Sequence, residues 1–261
     1  MKTKLTFALS LLLIGGATLF NGCKKDDDDP TPTPTPTVAP KLTIELEHLA
    51  GTEKFYLDST YTTANGDQIT PTIFKYYISN IQLVANDNSV TTIPDTYYLV
   101  DASDESTWTI DFDSLGTGQY KSIKFLIGVD STRNCSGAQT GALDPGNGMF
   151  WSWNSGYIFL KIEADSPQPA AGSIEYHIGG YKGAFVNYKE VELSFNGDIL
   201  NLANNTHREL HLVVDALEIF DNPTTIDLST FPSNVTMPNA NASLIANNYV
   251  DMIAYDHIHE E

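Results

Sequence analysis

The sequence predicts an all-β fold, an antiparallel β-sandwich with one C-terminal helix, and three observations support this prediction. Short segments in which apolar and polar residues alternate recur along residues 41–220, as expected of strands with one buried face. Glycine, proline and asparagine clusters separate these segments and predict turns. Convincing helical spacing of apolar residues is confined to one segment, near the end of the chain. About nine or ten short strands and one terminal helix are typical of a sandwich.

Residues 1–22 predict a lipoprotein signal peptide. Lys2 and Lys4 precede a short, mostly apolar stretch over residues 5–20, which is too short for a comfortable membrane span. Cys23 follows Gly22, an arrangement that resembles the bacterial lipoprotein box, in which the cysteine is lipidated and becomes the first residue. We therefore expect an exported outer-membrane lipoprotein.

Residues 23–40 predict a tether between that lipid anchor and the folded domain. Four adjacent aspartates, Asp26 to Asp29, repel one another, and the alternating Pro-Thr run that follows does not pair into a sheet. A cysteine followed by lysine and an acidic run also resembles the export signal of surface-exposed lipoproteins of Bacteroidota. The protein is thus expected to face the periplasm or the cell surface. The remaining residues, 41–261, form one domain, attached to the membrane only through its lipid.

The charge of the chain excludes several partners. The formal net charge is −19, and loss of Lys2 and Lys4 with the signal peptide makes it more negative. Such a chain is repelled by nucleic acid and by anionic headgroups, whereas soluble cations are plausible ligands. With Cys23 lipidated, Cys135 has no partner for an intrachain disulfide.

The first predicted strand, Lys41 to Leu49, directs His48 into the core. Leu42, Ile44, Leu46 and His48 share one face of this strand. A buried histidine usually bonds a carbonyl or a hydroxyl group. The further predicted strands cover residues 54–62, 74–85, 97–101, 109–113, 120–130, 173–178, 189–196 and 209–220, and another strand follows the paired tryptophans and runs through Glu163.

The C-terminal helix is predicted from one apolar face. Leu244, Ile245, Tyr249, Met252 and Ile253 fall on that face, and Asn241 or Ser243 is the expected N-cap.

A glycine-rich segment, residues 131–147, predicts a long surface loop just before two of the three tryptophans. If the following chain is extended, Met149, Trp151 and Trp153 share one side. The simplest interpretation is an aromatic anchor in the core of the sandwich. Alternatively, one of the two indoles belongs to a site.

No motif for an enzyme is present, and we expect no catalytic residues. The sequence lacks the Gly-x-Ser-x-Gly elbow, a phosphate-binding glycine-rich loop, His-Glu-x-x-His and Cys-x-x-Cys. The histidines are more informative, because imidazoles outside a carboxylate-rich motif suit copper or zinc better than calcium or magnesium.

Two groups of histidines are candidates for metal binding besides His48. His177 lies at a strand end, just before Gly179-Gly180. His257 and His259 share one side of an extended tail, where they either bind a divalent or cuprous ion or belong to a frayed terminus. His207 and His211 alternate with Leu210 and Leu212 and are expected on a solvated face, without a role.

Several segments together resemble the MbnP-like copper-binding domain, in order and over most of residues 41–260. The most specific are the Trp-x-Trp-x-x-Gly-Tyr motif at Trp151 to Tyr157 and the aromatic-His-x-Gly motif at Tyr176 to Gly179. The others are Phe74 to Asn80, Tyr120 to Asp130 and Gly141 to Pro145.

The resemblance implies a β-rich copper-binding protein, with Cu(I) as the expected ion. In the family, a partner related to di-haem cytochrome c peroxidases, MbnH-like, oxidises a tryptophan to kynurenine, which binds copper(I) alongside histidines. Carried onto this chain, the modified residue is Trp153 or Trp151, and His177 matches the family's histidine. His48, His257 and His259 are further candidate ligands.

A second function remains open at this point. The acidic tether, the sandwich and the 13 tyrosines and 3 tryptophans are also compatible with a surface glycan-binding or scaffold lipoprotein without a metal site. That function requires aromatic side chains whose faces are open to solvent.

Overall fold

The computed structural model describes residues 37–137, 139–152 and 154–260. The predicted signal peptide, Cys23, most of the tether and Trp153 lie outside this part of the chain. Its strands, in order, are β1 (Lys41–Ala50), β2 (Glu53–Lys54), β3 (Tyr61–Thr62), β4 (Gln68–Ala85), β5 (Val90–Thr92), β6 (Tyr97–Asp101), β7 (Thr109–Phe112), β8 (Gly118–Ile127), β9 (Phe150–Ser152), β10 (Gly156–Asp165), β11 (Ser173–Gly179), β12 (Lys189–Ser194), β13 (Leu200–Leu202), β14 (His207–Asp215), β15 (Asn234–Val235) and β16 (Ile253–Glu260). The α-helices are α1 (Ser131–Asn134) and α2 (Ala240–Asn248).

The strands form two sheets, and the predicted all-β sandwich is confirmed. The smaller sheet has the order β16-β14-β1-β2, with β7 also paired to β1, and the larger has the order β12-β8-β4-β10-β11-β15, with shorter strands at its sides. Pairing among the described strands is antiparallel except for β1 with β14 and β11 with β15. These two parallel pairs join strands that are far apart in sequence, where a long connection allows parallel pairing.

The main core lies between the two sheets. From the smaller sheet, Leu42, Ile44 and Leu46 of β1 point inward, and the alternating apolar residues of β14 lie beside them. From the larger sheet, Phe74 and Tyr76 of β4 belong to the same buried cluster. Each such side chain contributes about 1.5–3 kcal/mol when buried. The period-two patterns read from the sequence therefore correspond to the inner faces of both sheets.

A second apolar cluster lies on the outer face of the larger sheet. It contains Tyr77, Val129, Leu143, Met149, Tyr157, Ile158, Phe159 and Tyr181. The segment predicted as a surface loop covers this cluster, and it includes α1 and two 3₁₀ turns, Gly141–Leu143 and Pro145–Asn147. The hydroxyl of Tyr77 donates to the carbonyl of Ala142, and that of Tyr157 donates to the carbonyl of Leu143. These two hydrogen bonds, the first partly buried and the second buried, hold the segment against the sheet.

The C-terminal helix is confirmed, but it ends earlier than the apolar spacing predicts. Its N-cap is Asn239, whose side chain accepts a hydrogen bond from the backbone of Ala242, rather than Asn241 or Ser243. A 3₁₀ turn, Tyr249–Asp251, follows, and Ile253 begins β16. The apolar residues at the end of the helical pattern are thus buried by a turn and an edge strand. No helix in the described part of the chain is long and apolar enough to cross a membrane.

The predicted strand over residues 54–62 is wrong. Only its two ends are extended: β2 pairs with β1 in the smaller sheet, and β3 pairs with β4 in the larger one. Asp58, between them, has a positive φ of 60°, a backbone conformation that strands do not contain.

Candidate functional site

Trp151 lies on the outer face of the larger sheet. It belongs to β9, which pairs with β10 in a hairpin, and it is partly buried against the second apolar cluster. Its ring passes directly over Gly179 of β11, where an added Cβ would be 2.7 Å from Cζ3 of the indole and 2.4 Å from the carbonyl oxygen of Tyr157. This close approach requires a glycine.

His177 lies on the same outer face as Gly179, two residues earlier in β11. Ile178, between them, points into the main core, and alternation therefore directs both neighbours outward. Residues two apart in a strand are separated by about 6.6 Å. The indole of Trp151 therefore covers the position next to His177 on the outer face of β11. We call this surface, with Trp151, His177 and Glu163, the tryptophan face.

Glu163 of β10 orients the imidazole of His177. Its Oε1 lies 2.8 Å from Nε2 of His177 and 3.2 Å from Nζ of Lys161. Partial burial acts to raise the pKa of Glu163, but the hydrogen bonds from His177 and Lys161 outweigh it, and the net pKa is lowered. Glu163 is therefore an ionised acceptor, and Nδ1 is the ring nitrogen of His177 left for another partner.

His48 is buried, as the alternation of β1 predicts, but it is not part of the tryptophan face. Its side chain is fully inaccessible, and Nε2 lies 3.0 Å from the hydroxyl of Tyr76. Because Tyr76 belongs to the inner face of the larger sheet, the sheet separates His48 from His177. His48 and His177, both candidate ligands from the sequence, therefore cannot belong to one site.

The surroundings of His48 are aromatic. Its ring centroid lies 4.6 Å from that of Trp108, a tryptophan that the sequence did not single out. Burial lowers the pKa of His48 to about 4, and the backbone of Leu46 offsets only part of this effect. No described residue forms a hydrogen bond with Nδ1 of His48. His48 is accordingly a neutral core histidine at pH 7.

A third group of histidines lies on the outer face of the smaller sheet. β16 pairs with β14, so that His257 is directly opposite His211 and His259 is opposite Glu209. The rings of His211 and His257 stack, with centroids 4.2 Å apart and planes 7° apart, and the centroid of His259 is 4.8 Å from that of His211. We call these three histidines with Glu209 the histidine face.

Sequence reasoning found His257 and His259 but set His211 aside. The outward direction of His211 was predicted, and so was the shared side of the tail histidines. The pairing of the tail with β14 was not predicted, because two strands so far apart in the sequence leave no local pattern that indicates their pairing. Of the two alternatives for the tail, the frayed terminus does not fit the structure, because Ile253–Glu260 is an edge strand, and β14 supplies a third imidazole beside it.

The remaining candidates form no further site among the residues that the structure describes. Cys23 and Trp153 lie outside the described residues, and Cys135 is exposed and in no disulfide there. Trp108 and Trp151 are both partly buried. Among the described residues, Tyr56 is the only exposed tyrosine, tryptophan or phenylalanine. A flat aromatic platform for a glycan is therefore not found in the described part of the chain.

The fold and its two outer faces define a β-sandwich protein with one histidine, His177, outside the larger sheet and a cluster of three histidines outside the smaller one. A family model described as MbnP matches residues 39–238, and the chain therefore belongs to the MbnP family. The solved structure of MbnP from Methylosinus trichosporium has a similar fold, with a TM-score of 0.51 and 15% identity over 78% of this chain and 86% of that chain. A search of curated proteins finds no match.

Proposed function

We propose that this protein is an exported, lipid-anchored copper-binding protein without catalytic turnover of its own, and that the tryptophan face binds Cu(I). The observation that carries this proposal is the position of Trp151 against Gly179, on the same face as His177. A packing anchor alone does not need a histidine beside it. A copper site does, because imidazole is among the ligands that copper prefers.

The donor set fits copper only if a tryptophan is modified. An indole donates a hydrogen bond but presents no lone pair to a metal. Kynurenine, the product that the family resemblance implies, carries an aromatic amine and a ketone, both of which have lone pairs. Trp151 or Trp153 oxidised in this way would supply the second ligand beside Nδ1 of His177. In this proposal a di-haem partner similar to MbnH catalyses the oxidation with peroxide as the oxidant; peroxide is reduced to water, and the C2 carbon of the indole leaves as formate.

The role of Glu163 in this proposal is to hold the imidazole. A carboxylate bonded to one ring nitrogen sets the tautomer and orientation of a metal-binding histidine, and its loss typically weakens metal binding 10- to 100-fold. The ionised state of Glu163, held by His177 and Lys161, suits this role.

The test compares protein from its native host with protein made in a host that lacks the partner. We expect a mass shift from tryptophan oxidation in the peptide over residues 149–161 of the native material alone. That material should bind about one Cu(I) at this face, through the imidazole of His177, measured by competition with a chromophoric Cu(I) chelator. Unmodified tryptophans together with no Cu(I) uptake would overturn the proposal.

Matched variants locate the copper. In natively produced protein, His177→Ala should abolish Cu(I) binding at this face. Glu175→Gln, on the same strand and the same face, should leave it unchanged, because Glu175 is exposed and bonds only to Asn234 among the described residues. Equal Cu(I) affinity in both variants would rule out His177 as a ligand.

The anchor is tested separately. Cys23→Ala should release the protein from the membrane fraction, because the protein is proposed to be held by its lipid alone. Protease treatment of intact cells then distinguishes the cell surface from the periplasmic side. Membrane retention of the Cys23→Ala variant would contradict lipid anchoring without affecting the copper proposal.

A further inference from the structure

We propose that the histidine face is a second metal site, which binds a divalent transition ion, Zn²⁺ or Cu²⁺, through His211, His257 and His259. It is independent of tryptophan oxidation. It also lies partly beyond the region matched by the family model, which ends at residue 238, before β16 begins.

The three imidazoles already converge. One ligand atom from each lies within 4.8 Å of the others. Ligand nitrogens around a tetrahedral ion with bonds of 2.0–2.1 Å are about 3.3 Å apart. The side chains of His257 and His259 are 50% and 45% exposed, and they are free to rotate inward by the small amount required. The backbone needs no change, because β14 and β16 hold His211 and His257 in register.

Carboxylates direct a ring nitrogen of two of these histidines into the cluster. Nδ1 of His211 lies 3.1 Å from Oε2 of Glu45, and Nδ1 of His257 lies 2.8 Å from Oδ2 of Asp256. In both rings this leaves Nε2 for an ion. Pairing of the second ring nitrogen with a carboxylate is the arrangement that orients metal-binding histidines and raises their basicity.

Nε2 of His211 provides an independent indication. It is buried, yet it has no hydrogen-bond partner among the described residues. A buried polar atom without a partner is costly, at about 1–3 kcal/mol, and such an atom calls for an explanation. An ion bound between His211, His257 and His259 would satisfy this nitrogen.

The charge around the cluster favours a divalent ion over Cu(I). Glu209 is only 9% exposed; its carboxylate contacts Nε2 of His259 and lies 3.6 Å from Nε2 of His211. With Glu45 and Asp256, it surrounds the imidazoles with carboxylates. Nitrogen ligands in an acidic setting suit Zn²⁺ and Cu²⁺, whereas Cu(I) prefers softer ligands. Three protein ligands leave one position open to solvent, as expected of a site that exchanges its ion.

The experiment uses the full chain made without the partner oxidase, so that its tryptophans are unmodified and the tryptophan face is not completed. Zn²⁺ is titrated by calorimetry, and Cu²⁺ is followed by electron paramagnetic resonance. We expect one ion per chain and nitrogen hyperfine structure from imidazoles. A stoichiometry of zero, or a copper spectrum without nitrogen coupling, would overturn the proposal.

The variants separate the two faces. The double substitution His257→Asn with His259→Asn lies on an edge strand, and it should weaken Zn²⁺ binding by more than about 100-fold, because even the loss of an outer carboxylate costs 10- to 100-fold. His177→Ala should leave the Zn²⁺ affinity unchanged. If His177→Ala weakens Zn²⁺ binding and the double substitution does not, the ion binds at the tryptophan face and the proposal is refuted.

His211→Ala provides a further test of the same ligand set. A matching loss of Zn²⁺ affinity is expected, with circular dichroism confirming that the variant is folded. If it is unfolded, His211→Gln replaces it; retained affinity in a folded His211 variant contradicts a three-histidine site. Because Cu(I) binding at the tryptophan face is measured on native protein, failure of either proposal is recognised without the other.

Discussion

The tryptophan face and the histidine face occupy the outer sides of the two sheets, but they are built differently. On the larger sheet, the segment at residues 131–147 folds over the outer face, and the strand β9 that follows it brings Trp151 onto Gly179. On the smaller sheet, three histidines and Glu209 stand on two adjacent strands without such a cover. The first surface depends on tertiary packing of a loop, and the second on strand alternation and register alone.

This difference determines how each face responds to change. A covered face tolerates few changes in side-chain volume, since protein interiors are packed as densely as crystals of small organic molecules. Half-exposed side chains on an open sheet can be exchanged with small effects on stability. Substitutions that disturb the packing of Trp151 on the tryptophan face should therefore cost folding energy, whereas those on the histidine face should cost mainly ligand binding.

The largest effect on stability is expected from Gly179→Ala. Its new Cβ would lie within 2.4 Å of the carbonyl oxygen of Tyr157 and 2.7 Å of Trp151, so that the hairpin carrying Trp151 must move. We expect a loss of about 2–3 kcal/mol in the free energy of unfolding, measured by urea denaturation, with a red shift of tryptophan fluorescence.

The control for this prediction is Gly116→Ala, where nothing lies within 4 Å of the new Cβ. The Gly179→Ala variant should still bind Zn²⁺ at the histidine face. Wild-type stability with an unchanged fluorescence spectrum would show that Trp151 does not pack on Gly179.

The next largest effect on stability depends on pH and arises from His48, which lies in the core between the two sheets. Its folded pKa, about 4, is below the ordinary value of 6.5, so that between these values the unfolded chain binds more protons than the folded one. Its contribution to stability is complete above pH 6.5 and is lost as pH falls toward 4. At pH 5 the loss is about 2 kcal/mol relative to pH 7.5.

Urea denaturation across this pH range measures the loss. His48→Gln should have a shallower dependence on pH between 6.5 and 5, whatever its stability at pH 7.5. An identical slope in both proteins would place the titrating group elsewhere.

The smallest effect on stability is expected from Glu163→Gln on the tryptophan face. The side chains of Glu163 and His177 are 26% and 17% exposed, and partly exposed ion pairs contribute at most about 1 kcal/mol. Stability should change by less than that, whereas Cu(I) affinity of the native protein should fall about 10- to 100-fold. A large loss of stability with unchanged copper binding would make Glu163 a structural residue only.

Much of the fold could be predicted from the sequence, because the alternation of apolar and polar residues is a local pattern. The alternation in β1 placed His48 in the core, and that in β14 placed Leu210 and Leu212 inside and His211 outside. Prediction was poorer where neighbours in space decide the structure. The segment at residues 54–62 divides between two sheets, and Ile253 leaves the helical pattern to begin an edge strand.

By itself, the sequence determined the side of each strand on which a residue lies and the motifs at Trp151 and His177 that indicated the family. The tertiary structure alone decided which of these residues meet. It separated His48 from His177 by a sheet, placed Trp151 over Gly179, and set His257 opposite His211. The physical reason is that side-chain alternation follows from the geometry of a single strand, whereas pairing and layering depend on contacts between segments far apart in the chain.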